Sequence, residues 1–143
     1  MAVESGVYPC YENQFKVKAG STYATIADME TFSVSIDNGV EEWTPFEHEG
    51  WTRRLMTAKS ITLQVNGKRN IGDTGNDYVA GLFMNNGQAA QSDFQWTFPD
   101  GGVLEFTDAV VNVTNLGAGD STAVAPLEFE LMSNGKPTYT PAS

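Results

Sequence analysis

Ser60-Ile61-Thr62-Leu63-Gln64-Val65-Asn66-Gly67 decides the fold class. Ile61, Leu63 and Val65 alternate with Ser60, Thr62 and Gln64, and this period of two gives a strand one dry face and one wet face. The pattern recurs. Phe32, Val34 and Ile36 alternate with Thr31, Ser33 and Ser35, and Phe94, Trp96 and Phe98 with Asp93, Gln95 and Thr97. Val111 and Val113 flank Asn112, and Leu127, Phe129 and Leu131 alternate with Glu128 and Glu130. Turn-forming residues punctuate these runs: Asp37-Asn38-Gly39, Asn66-Gly67, Pro99-Asp100-Gly101-Gly102, Gly117-Ala118-Gly119-Asp120 and Asn134-Gly135. An Asn-Gly pair between alternating runs predicts a type I′ hairpin, because both central residues need positive φ. The clearest such unit spans 128–140 about Asn134-Gly135.

One segment has a helical period. Tyr78, Val79, Leu82 and Phe83 fall on one face, Thr74 and Asp77 have the spacing of a capping box, and Gly87 is placed to end the helix. A short helix over about 74–85 is predicted, its aromatic stripe packed on a sheet. The fold class is therefore mainly β, antiparallel, with one flanking helix, and 1–143 reads as a single domain.

Residues 37–59 fit neither period and are predicted to form a long inter-strand loop. They hold Trp43, Phe46, Trp51, four glutamates, the sole histidine His48 and the pair Arg53-Arg54. Loops of this length in a compact domain are usually functional or disordered, and large aromatics need something to bury against. Two accounts stay open. The aromatics fold back onto their own sheet, or they form an arm that buries them in a neighbouring copy.

Composition narrows the function classes. The chain of 143 residues is 41% apolar and 11% aromatic and carries a formal charge of −10. That is too apolar for a disordered acidic tail and too acidic to grip phosphates through a basic face. Lys16, Lys18, Arg53, Arg54, Lys59, Lys68 and Arg69 all precede residue 70, and no Lys or Arg follows until Lys136. A solvated acidic surface explains this, as does complementarity between copies, a basic middle segment meeting an acidic face. No signal peptide or membrane helix is expected, and the single cysteine, Cys10, excludes an internal disulfide and a cysteine-based zinc site. The composition points to intracellular assembly.

Catalytic patterns are scarce. His48 is the lone imidazole, no Gly-x-Ser-x-Gly elbow occurs, and Glu47-His48-Glu49 lacks the second histidine of a zinc motif. Glu41, Glu42, Glu47 and Glu49 would serve glycoside hydrolysis only if a cleft set two of them about 5–9 Å apart. Asp73-Thr74-Gly75-Asn76-Asp77 fails the ligand spacing of a calcium loop, and a helix cap accounts for it. No enzyme activity and no cofactor are expected.

Several blocks carry a family resemblance: 37–45 (DNGVEEWTP), 50–57 (GWTRRLMT), 63–70 (LQVNGKRN), 72–80 (GDTGNDYVA), 126–131 (PLEFEL) and 134–137 (NGKP). Together they resemble the major tail (tail tube) proteins of long-tailed bacteriophages of Gram-positive bacteria, the TP901-1-like major tail protein family. The resemblance implies a β-sandwich or half-barrel of two antiparallel sheets with a flanking helix. It also implies self-assembly into hexameric rings that stack as a tube, through which the genome passes to the host. Implied partners are further copies of the chain, tape measure, tail terminator and distal tail proteins, and double-stranded DNA in non-specific transit. The implied location is the virion tail, assembled in the host cytoplasm, with no membrane insertion.

On that reading Trp43, Phe46, Trp51, Arg53, Arg54, Lys68 and Arg69 are candidate subunit-interface residues. Gln64, Asp93, Gln95, Glu128 and Glu130 are candidates for a lumen lining that repels DNA phosphates. Two alternatives stand beside it: a non-enzymatic β-sandwich binding module, for decoration or for carbohydrate or receptor binding, and the tube of a phage-tail-like bacteriocin.

Overall fold

The computed structural model describes residues 6–142. Its strands are β1 (Gln14–Ala19), β2 (Thr22–Thr25), β3 (Met29–Trp43), β4 (Arg53–Lys68), β5 (Gln91–Thr97), β6 (Val103–Leu116), β7 (Pro126–Met132) and β8 (Thr138–Thr140), with one α-helix, α1 (Thr74–Ala80). All pairings are antiparallel, in the order β2-β1-β5-β6-β7-β4-β3, with β8 added to β6. The fold is mainly β with a flanking helix, as the periodicity indicates. The two expected sheets are one continuous sheet. It curls until its far ends meet through side chains, with the rings of Phe15 on β1 and Phe32 on β3 at 4.8 Å between centroids, edge to face. Strand twist and apolar side chains drawn to one face produce that curl.

The inner face is the core. Val17, Leu63, Val65, Phe94, Phe106, Val111, Leu127, Phe129 and Leu131 are buried there, and Val79, Ala80 and Leu82 close one end. The alternating runs on β4, β5, β6 and β7 thus face inward as predicted. Two β-bulges on β6 shift its parity, so that Leu104 and Phe106 face inward before the first and Ala109, Val111 and Val113 after it.

The helix begins one residue earlier than a Thr74 cap would require. Asp73 is the N-cap, accepting from the Asn76 amide, and Asp77 reaches back to accept from the Gly72 amide instead of closing a box with Thr74. After Ala80 the chain tightens into a 3-10 turn, Gly81–Met84, so Gly87 does not end the helix. Val79 and Leu82 are buried and Tyr78 is partly buried, but Phe83 points outward. The change from α to 3-10 winding rotates it off the stripe.

Two turn assignments are overturned, and one expected hairpin pairs differently. Asp37-Asn38-Gly39 lies inside β3 and Asn66-Gly67 inside β4. Gly67 serves close approach: a Cβ there would collide with the carbonyl oxygen of Asp28 and the backbone of Met29. Gly67→Ala is accordingly expected to destabilise the protein by roughly 2–4 kcal/mol, measured as a lowered urea midpoint with unchanged m-value. Asn134-Gly135 does form a turn, with Gly135 at φ 84°, but β8 pairs with β6 at Val103–Glu105 instead of returning along β7. β7 pairs with β6 only from Val110 onward, and β8 fills the edge it leaves open. The turns between β5 and β6 (Gly101, φ 96°) and between β6 and β7 (Gly117, φ 85°) fall where predicted.

Behind the helix N-terminus lies a polar node. The side chain of Asn76 is fully buried; its Oδ1 accepts from the Asn70 amide and from Arg69 Nη1, and its Nδ2 donates to the carbonyls of Ala27 and Lys68. All four hydrogen-bonding positions of the amide are used, which a buried amide requires. The node ties the β2–β3 connection, the end of β4 and the helix together. No group of three or more His, Cys, Asp or Glu with metal-holding geometry occurs among the described residues.

Candidate functional site

Residues 37–59 are largely strand, not loop. The connection proper is 44–52, and β3 and β4 pair from Asp37↔Ser60 to Trp43↔Arg53 with a bulge after Gly39. β7 stops pairing with β4 at Thr62, so this outer part of the hairpin has no third strand. Its seven ladder pairs make a two-stranded ribbon roughly 25 Å long that stands clear of the body. The periodicity was hidden for a physical reason: a ribbon with no core on either face has no need of a dry and a wet side.

At the tip, the chain passes Pro45 into a 3-10 turn, Phe46–His48, and reverses at Glu49 (φ 50°) and Gly50 (φ 90°), with the Trp51 amide donating to the His48 carbonyl. Phe46 is fully exposed, Trp51 is 78% exposed and Trp43 43%. Cross-strand pairs hold the ribbon. Arg54 Nε lies 2.7 Å from Glu42 Oε2, Arg53 sits over the Trp43 ring at 5.7 Å, and the Thr44 and Thr52 hydroxyls are 3.4 Å apart. Glu42 holds the Arg54 guanidinium above even its ordinary pKa. Isolated two-stranded ribbons are marginally stable in water, and at the tip of this one exposed aromatic side chains gather.

The interface candidates therefore divide. Trp43, Phe46, Trp51, Arg53 and Arg54 gather at the tip, whereas Lys68 and Arg69 sit at the opposite end of β4. Lys68 pairs with Glu30 at 3.1 Å, and Arg69 donates to Asp77 at 2.7 Å and to Asn76. Arg69 is thus engaged in the polar node. That Arg69 hydrogen bond, opposed by a smaller desolvation effect and helped by the Gly72 amide, holds the Asp77 carboxyl below the usual carboxylate range. A folded-state pKa below the unfolded one gives stabilisation that is complete above the unfolded pKa and lost as pH falls through the folded one. The stability deficit of Asp77→Asn against the parent protein is therefore expected to shrink on acidification through the carboxylate range, read from urea midpoints across pH.

The lumen candidates share a face. Gln64 pairs with Glu130 and Asn66 with Glu128 across β4 and β7, and Asn112 on β6 donates to Glu130 at 3.0 Å. Gln95 on β5 pairs with Glu105, and Asp93 alternates with buried Ser92 and Phe94. Gln64, Asp93, Gln95, Glu128 and Glu130 thus lie on the outer, wet face of the single sheet. Glu105, missed in the sequence, joins them and accepts from the Tyr23 hydroxyl and from Gln95 Nε2. Burial first, and the Glu105 hydrogen bond next, raise the Tyr23 pKa well above the ordinary phenol value, so the phenol stays a donor. Lys16 and Lys18 alternate with buried Val17 and mark the β1 side of the same face.

The four tip-region glutamates, Glu41, Glu42, Glu47 and Glu49, are exposed on the ribbon. A groove of about 510 Å³ lies at the other end of β3, lined by residues 10–15 and 25–32 in part. No helix is long and apolar enough to cross a membrane among the described residues.

No protein-family model and no curated protein matches the chain. Solved structures do. One is a chain from the tail of an empty gene transfer agent particle, refined helically with C6 symmetry: TM-score 0.74 at 20% identity, covering 94% of this chain and 99% of that one. The chain shares its fold. A chain of the sheath-tube complex of an extracellular contractile injection system in the extended state superposes with TM-score 0.67 at 15% identity, covering 97% and 95%. A third, from the tube-terminating cap of an anti-feeding prophage, gives 0.63 at 16%, covering 99% and 95%.

Proposed function

We propose that the protein is a structural tail-tube subunit of a virion or virion-like particle, assembling with copies of itself into rings, six to a ring, that stack around an acidic lumen. The observation that carries this is the β3–β4 ribbon: a chain with the fold of a C6-symmetric particle tail projects an aromatic tip that its own body leaves uncovered. The open edges at β2 and β3 support it, since edge strands invite pairing and a rotationally closing contact makes rings. So does the wet face, where Asp93, Glu105, Glu128 and Glu130 give a lining that repels phosphate and lets duplex DNA pass without the salt-dependent grip of a basic surface. The resemblance of the sequence blocks to TP901-1-like major tail proteins supports a DNA-conducting phage tail, with tape measure, tail terminator and distal tail proteins as further partners. The role is architectural, with no catalytic residue required.

Electron microscopy of the concentrated protein tests this. Rings or tubes with a central channel are the expected result; monomers alone across the full range of salt and concentration would overturn it.

A further inference from the structure

Four Asn-Gly pairs occur in the chain: Asn38-Gly39, Asn66-Gly67, Asn86-Gly87 and Asn134-Gly135. This dipeptide carries a chemistry of its own. Glycine sets no Cβ beside its backbone nitrogen, and its conformational freedom lets that nitrogen swing onto the preceding side-chain amide. The fold treats the four pairs differently. Asn38 and Gly39 are held in the β3–β4 ladder opposite Lys59 and Ala58, and Asn38 Oδ1 accepts from Lys59 Nζ at 2.9 Å. Asn66 and Gly67 lie between β3 and β7; Asn66 Oδ1 accepts from Gln64 Nε2 at 2.7 Å, and Gly67 is buried. Asn134 is exposed, but its Nδ2 donates to the Asp108 carbonyl at 3.2 Å. Asn86 differs from all three. It and Gly87 are exposed and belong to no strand, and the Asn86 side chain makes no hydrogen bond among the described residues. Gly87 (φ 63°) opens the 3-10 turn Gly87–Ala90, so its amide precedes the first hydrogen bond of that turn.

We propose that Asn86 is a modification site, deamidated spontaneously because the fold leaves this one amide unheld. The Gly87 backbone nitrogen gives its proton to solvent base and attacks Cγ of Asn86. The bond from Cγ to Nδ2 breaks, ammonia leaves with a proton from water, and a five-membered succinimide closes. Water then adds to one of the two ring carbonyls and opens the ring to aspartate or isoaspartate. The sum is one water consumed and one ammonia released. Closure requires rotation about ψ of Asn86, which stands extended at 161°. That rotation breaks no ladder bond at position 86, whereas at 38 and 66 it would pull paired strands apart. The product places a new carboxylate on a chain already at −10, beside the exposed side chains of Phe83 and Met84. The isoaspartyl form also runs the main chain through the side-chain methylene, lengthening the connection between buried Leu82 and β5.

This chemistry does not depend on assembly, so its failure leaves the tube reading untouched. Prolonged incubation of the purified chain in mildly alkaline buffer, followed by peptide mass mapping, tests it. The peptide holding Asn86 is expected to convert at least about tenfold faster than those holding Asn38, Asn66 and Asn134, since each of these must first give up a hydrogen bond or open locally. A carboxyl methyltransferase specific for isoaspartate is expected to label the aged protein strongly. It is expected to label Asn86→Gln only weakly, because the longer side chain must close a six-membered ring. In urea the four rates are expected to converge, every pair then having the same free glycine nitrogen. Conversion at Asn134 as fast as at Asn86 in the folded protein would overturn the proposal. So would undiminished labelling of Asn86→Gln, or a lead of Asn86 that survives unchanged in urea, which would make local sequence the selector instead of the fold.

Discussion

Asn76→Ala is expected to lower the unfolding free energy by about 4 kcal/mol, as much as the loss of a large core side chain. The side chain is wholly buried, and removing it strands the Ala27 and Lys68 carbonyls and the Asn70 amide at once. Each orphaned buried group costs about 1–3 kcal/mol, and no single neighbour is placed to replace three partners. Arg69 is the least affected, since it keeps Asp77 and the Asn70 carbonyl. Urea unfolding followed by tryptophan fluorescence measures the loss. A deficit under about 1 kcal/mol would mean that water satisfies the node and that the helix, the β2–β3 connection and the end of β4 are held by apolar contacts instead.

The second large effect is on assembly, with little on stability. Phe46→Ala combined with Trp51→Ala removes two aromatics that are fully and 78% exposed, so the monomer is expected to unfold within about 0.5 kcal/mol of the parent. If both are interface anchors at about 2 kcal/mol each, the concentration required for tubes rises roughly a thousandfold. Sedimentation at fixed concentration, paired with a thermal melt, reads both quantities. Normal tubes from the double variant would place the contacts between copies elsewhere on the molecule. A collapsed melting temperature would mean that the tip stabilises the monomer.

These two residues sets differ in how far they could be read in advance. Phe46 and Trp51 stand out as aromatics in a segment with no core-directed period, and the fold leaves both uncovered. Asn76 gave no such signal. Its neighbours Asp73, Thr74 and Asp77 suggested a cap, but nothing in sequence separates an asparagine exposed on a first helical turn from one buried against three chain segments. Arg69 was grouped with the tip arginines by charge, and the fold sends it to the far end of β4 as part of that node.

Periodicity determined the strands of the core, because a side chain every second residue must face either protein or water, and Leu63, Val65, Phe129 and Leu131 could face only inward. The same rule was silent for residues 37–59, where both faces of the ribbon meet solvent. Turn chemistry is local and therefore ambiguous: the Asn-Gly at 66–67 bends nothing, and its glycine is required by the carbonyl of Asp28, a residue 39 positions earlier in the chain. Tertiary structure alone decided that eight strands form one curled sheet, that β8 completes β6, and that a groove stays open at the seam. Those features depend on where distant backbone edges come to rest, and edge hydrogen bonding leaves no mark in side-chain order.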